Sequence, residues 1–112
     1  MNTLEQIREI LATYSRHGWR LKRLLLTREA RALLNESEQD ILADTPEVVD
    51  SPINALWFAR PSHAGREAWE LRLVAETPYA LFETFEADEE EAEREEVRQE
   101  MEARLREYAA RS

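Results

Sequence analysis

The chain contains no cysteine and only two glycines, Gly18 and Gly65, in 112 residues. Without cysteine it can form no disulfide framework, no thiolate metal site and no cysteine nucleophile. Two isolated glycines cannot compose a P-loop or a GxGxxG fingerprint, which excludes nucleotide binding through those motifs. Histidine is as scarce: His17 and His63 lie far apart without an HExxH pattern, whereas a catalytic zinc commonly takes three protein ligands. The acids from Asp88 to Glu91 lack the glycine-turned spacing of a calcium loop. On this basis neither a metal nor a cofactor is expected. Long apolar runs are missing too. The longest, "ALWFA", is far short of the ~20 residues of a membrane-spanning helix. The opening "MNTLEQIREI" carries acids in place of the apolar segment of a secretory signal, which points to the cytoplasm.

What the chain does contain is 43% hydrophobic and 35% charged residues. That is too apolar for a disordered chain, and at this length it fits one domain burying roughly 65% of its unfolded surface. There is room for one core and a shallow site. The net charge of -9 opposes nucleic acid and anionic membranes on average. The charge is nonetheless segregated: residues 1–31 hold seven basic and three acidic side chains, and residues 32–112 hold eight basic and 21 acidic ones.

Leu4, Ile7, Leu11 and Tyr14 recur at spacings of three and four, which predicts an amphipathic first helix. Thr3 with Gln6 forms a capping-box pattern, and Gly18 suits the left-handed residue that ends a helix. "WRLKRLLLT" reads as a strand from about Trp19 to Leu26, with a bulge where its apolar phase slips between Leu21 and Leu24. Thr27 can cap a short helix, Ser37 another helical turn, and "EVVD" a short edge strand. The stretch from Asn54 to Glu83 predicts a three-stranded meander. In its expected register Arg60 pairs with Glu67, Phe58 with Trp69 and Leu56 with Leu71, and the next hairpin sets Leu73 against Phe82 and Arg72 against Glu83. A shift of one residue, with Trp57 against Trp69, is the alternative. The expected fold is α+β: an N-terminal helix, an antiparallel sheet of about four strands including the meander, and a long acidic C-terminal helix. Residues 1–87 form a single domain, and the charged helix of residues 88–112 is part of it or projects from it.

Three groups of residues offer themselves as sites. The expected register places Trp57, Val74, Leu81 and Phe85 on a second sheet face. If nothing in the chain covers them they are an exposed apolar patch of the kind that marks an interaction surface, and the helical stripe of Val97, Met101 and Leu105 is its natural companion. Arg16, Arg20, Lys22, Arg23, Arg28 and Arg31, with Trp19 interleaved, form a basic strip that could track phosphates. The simpler reading is pairing with the chain's own acids, since residues 86–102 hold ten acids and two arginines. Arg60, Ser62, His63 and Arg66 in "RPSHAGR" could bind an anion, although the same residues also make an ordinary solvated hairpin loop. Ser62 beside His63 lacks a third group to orient a base. Glu70 and Glu83 on neighbouring strands resemble a charge ladder more than an acid and base pair. The function expected is therefore a non-enzymatic protein-interaction module, possible as a homodimer, with nucleic-acid binding through residues 16–31 as the alternative.

Overall fold

The first helix begins where a short polar side chain meets an amphipathic run. In the computed structural model, which describes residues 2 to 111, Asn2 caps helix α1 (Thr3–Arg16) by accepting the N–H of Glu5 at 2.8 Å. Asn2 thus takes the capping role expected of Thr3, because its carbonyl reaches the exposed N–H groups of the first turn. Gly18, at φ +80°, follows the last turn as the left-handed residue the sequence predicted. Strand β1 (Arg20–Leu26) starts two residues later and shows the expected irregularity between Leu21 and Arg23. Thr27 accepts the N–H of Ala30 at 3.2 Å and opens α2 (Arg28–Ser37). A further short helix, α3 (Gln39–Asp44), leads to β2 (Val48–Asp50).

The remaining elements are β3 (Ala55–Pro61), β4 (Glu67–Leu73), β5 (Ala80–Phe85) and α4 (Glu91–Arg111). The strand order is β2-β1-β3-β4-β5, with β2 parallel to β1 and every other neighbour antiparallel. The fold is thus α+β as expected, but the sheet has five strands and is mixed. The parallel pair arises because α2 and α3 carry residues 27–47 back past β1, the length of connection that a parallel return requires.

The register of the meander also differs from both expectations. Trp57 lies opposite Leu71, Ala59 opposite Trp69, and Phe58 opposite Glu70. On the next pair Leu71 faces Leu81, Glu70 faces Phe82 and Trp69 faces Glu83. This arrangement sets the small Ala59 against the bulky Trp69 and lets Trp57 and Trp69 pack edge to face at 5.8 Å, the geometry that aromatic quadrupoles favour. The β3–β4 loop closes with left-handed Ala64 and Gly65, at φ 58° and 75°.

Two cores result. One face gathers Leu25, Trp57, Trp69, Leu71 and Phe85 beneath Met101 and Leu105 of α4. The other gathers Leu24, Leu26, Leu56 and Phe58 beneath Ile7 and Ile10 of α1 and Leu34 of α2. The expected register set Phe58 with Trp69 and Leu56 with Leu71 on one face, whereas here Phe58 and Leu56 lie under α1 and Trp69 and Leu71 under α4. Within its bounds α4 carries seven glutamates and five arginines; much of the acid excess lies ahead of it, in residues 86–90. Among the described residues no helix is long and apolar enough to cross a membrane.

Candidate functional site

The second sheet face, expected as an interaction surface, is filled by the chain itself. Trp57 and Phe85 are buried and Leu81 is half-buried, all in the core under α4, with Met101 and Leu105 buried above them and Val97 packed at the edge. Val74 belongs to the other core, next to α1. These seven residues consequently do not form one exposed patch. The reason is alternation along the strands together with α4, whose narrow stripe matches the face that Trp57 occupies.

Charged groups complete the same interface. Arg23 points from β1 toward α4, where it donates to Glu102 at 2.8 Å, to Glu95 at 3.0 Å and to Glu47 at 2.6 Å. The Glu102 carboxylate also accepts the Trp57 indole N–H at 2.8 Å. Arg98, its side chain only 3% exposed, donates to Glu91 at 2.6 Å and to Glu95 at 3.0 Å while its guanidinium lies 3.9 Å over the Trp69 ring. Burial pushes the Glu95 carboxyl up, but hydrogen bonds from Arg23, Gln99 and Arg98 outweigh it and bring its pKa down to about 2. The Arg98 hydrogen bond likewise lowers Glu91. A shallow cleft of about 550 Å³ opens at the mouth of this network, between Lys22, Glu47, Glu67 and Glu91. Chemically it is an internal tie between sheet and helix.

The basic strip is divided by this arrangement. Arg23 is taken up in the network, and Arg31 donates to Asp50 at 2.9 Å. Arg16, Arg20 and Arg28 are exposed and Lys22 is half-buried, and they are spread over α1, β1 and α2. The loop arginines also diverge. Arg60 lies 4.3 Å over the Trp19 ring and donates to the His17 carbonyl at 2.6 Å, whereas Arg66 turns to the Glu86 carboxylate at 3.0 Å. Ser62 and His63 are exposed on the turn between them. The four anion-site candidates therefore share a loop without converging on a point.

Two surface features were not anticipated. The first is a cleft of about 420 Å³ between α1 and the β4–β5 connection, lined by Gln6, Glu9, Tyr14, Arg72, Glu76 and Pro78 among others. At its base Tyr14 stacks on Phe58 at 4.2 Å and donates its hydroxyl to Glu70. Burial first, and then this bond, raise the phenol above its ordinary pKa.

The second is the outer edge of β5. Phe82 is 59% exposed on the face that α1 leaves uncovered, with Trp19 packed against it edge to face at 6.5 Å. The backbone beside it is equally open. Leu73 donates its N–H to the Tyr79 carbonyl at 3.0 Å, and the alternation of antiparallel pairing then turns Leu81, Glu83 and Phe85 toward β4 and Ala80, Phe82 and Thr84 outward. In agreement, the Thr84 N–H is met by the neighbouring Glu83 carboxylate at 3.0 Å in place of a strand. The opposite edge, β2, is three residues long, carries Asp50 and is flanked by Pro46 and Pro52. Those features discourage pairing; "ALFETF", twice as long, with one charge and a flanking proline, Pro78, at one end only, has fewer of them. Comparison of the chain with protein-family models, curated proteins and solved structures returned no match.

Proposed function

We propose that this domain is a non-enzymatic protein-interaction module of the cytoplasm that receives an extended protein segment along the outer edge of β5. The observation that carries it is Phe82, a large aromatic left 59% exposed beside three outward-facing backbone positions, while the chain's own helices cover the centre of both sheet faces. Strand addition uses such an edge directly. Backbone hydrogen bonds supply affinity, and alternate side chains supply selectivity. Nucleic-acid binding through residues 16–31 has less support, because Arg23 and Arg31 are already engaged by carboxylates and the net charge is -9.

The reading is tested with a labelled peptide of the sequence from Tyr79 to Glu86, titrated with the protein. Thr84→Pro removes an outward N–H and leaves the β4 ladder intact, so its melting temperature should stay within about 5 °C of wild type. It should abolish peptide binding, as should Phe82→Glu. Peptide binding indifferent to both changes, or none by the wild-type protein, would contradict the proposal.

A further inference from the structure

Resting on the strand-acceptor reading above, we infer that the segment occupying this edge is β5 of a second copy of the chain. The two strands run antiparallel about a two-fold axis at Phe82. The inference follows from the sequence of the edge. Residues directly opposite in an antiparallel pair point to the same face. A two-fold pairing of β5 with itself must therefore centre on one residue, and the candidates are Leu81, Phe82, Glu83 and Thr84.

Only one of these centres satisfies the whole edge. About Glu83, two carboxylates meet face to face, which is destabilising. About Leu81, Thr84 falls opposite Pro78, which has no N–H to give. About Thr84, Ala80 falls opposite Asp88, beyond the end of the strand at Phe85. About Phe82, Ala80 pairs with Thr84 of the partner copy, Thr84 pairs with its Ala80, and Phe82 pairs with its Phe82. Every outward N–H and C=O then finds a partner, two bonds to each pair. Each Glu83 lies opposite a leucine. The exposed rings come together on the face that α1 leaves open, and Trp19 is already packed against each of them.

The result is a continuous ten-stranded sheet with the short, proline-flanked β2 at both ends. A contact of this extent belongs with the smaller interfaces, so association should be concentration-dependent, with a Kd on the order of micromolar. Each copy carries a net charge of -9, so added salt should tighten the dimer by screening their repulsion.

Two measurements on the full chain decide it. In sedimentation equilibrium the wild-type protein should pass from monomer to dimer with concentration, and Phe82→Glu should weaken that step by on the order of 100-fold. The absence of native cysteine allows the register to be read by crosslinking. Under mild oxidation a mixture of Leu81→Cys and Glu83→Cys chains, which retains Phe82, should form the mixed disulfide faster than either forms its own. In this register those two positions oppose each other, with Cα atoms about 4.5 Å apart. A strict monomer that still binds the Tyr79–Glu86 peptide would overturn the second copy and leave the strand-acceptor reading standing. A dimer indifferent to Phe82→Glu and to Thr84→Pro would overturn both. A dimer sensitive to both but crosslinking fastest at Leu81→Cys, Glu83→Cys or Thr84→Cys alone would overturn the Phe82 axis.

Discussion

Removal of residues 88–112 is expected to leave a chain with no cooperative unfolding transition. Without α4, Leu25, Trp57, Leu71 and Phe85 lose their cover; each is now at most 1% exposed. At ~1.5–3 kcal/mol for each side chain, their exposure costs about 6–12 kcal/mol, against a total stability of ~5–15 kcal/mol for a domain of ordinary size. The loss also strips Arg23 of Glu95 and Glu102. Thermal melting followed by circular dichroism checks the prediction. A truncated chain that melts cooperatively within about 10 °C of the full-length protein would show that α4 is an appendage.

A single substitution in the network below that helix should also be strongly destabilising. Arg23→Met keeps the apolar stem but leaves Glu102, whose side chain is 7% exposed, as a buried carboxylate without a cation, at a cost of about 3–5 kcal/mol. Combining Arg23→Met with Glu102→Gln removes both charges and still offers the Trp57 N–H an acceptor, so the double variant should recover to within about 2 kcal/mol of wild type. Chemical denaturation of the three proteins separates a cost of unpaired charge from a cost of lost packing. The pH dependence gives a second readout. Glu95 titrates near 4.5 when unpaired and at about 2 in the fold. Its contribution is therefore complete above pH 4.5 and is lost as the pH falls toward 2. Arg23→Met should flatten that part of the acid limb. Equal losses in the single and double variants would show that packing outweighs pairing.

Some of this architecture was legible in the sequence because local rules and tertiary packing agree there. The spacing from Leu4 to Tyr14, Gly18, the cap at Thr27 and the phase slip in β1 each have a local cause, and each is found where it was expected. The meander register was not legible, because strands buried on both faces lose the alternation that would fix it. What decides it is the fit of Ala59 beneath Trp69 and of Arg98 over that ring, neither of which shows in a hydropathy pattern. The parallel edge strand was recognised as a strand but not as a parallel one, because its partner is chosen by the path of α2 and α3.

The interaction surface was misplaced for a related reason. Val97, Met101 and Leu105 were read as an apolar stripe, and they do face the sheet, but Arg98 and Glu102 face it with them. Charged residues ordinarily mark the solvated side of a helix, and here two of them extend the buried stripe by pairing across the interface. The broadened stripe covers Trp57 and Phe85 completely. On the sheet, Phe82 remains uncovered, although the expected hairpin had set it opposite Leu73. A six-residue connection between β4 and β5 moves it to the open side of the last strand.

Amide hydrogen exchange along β5, recorded by NMR on dilute and on concentrated protein, tests the open edge most directly. In the dilute sample the Leu81, Glu83 and Phe85 amides should exchange slowly and the Ala80 and Phe82 amides fast, with Thr84 slowed only by its bond to Glu83. In the concentrated sample the outward set should become protected while the inward set is unchanged. Protection that is uniform along the strand, or that does not change with concentration, would contradict an unpaired edge held ready for a second strand.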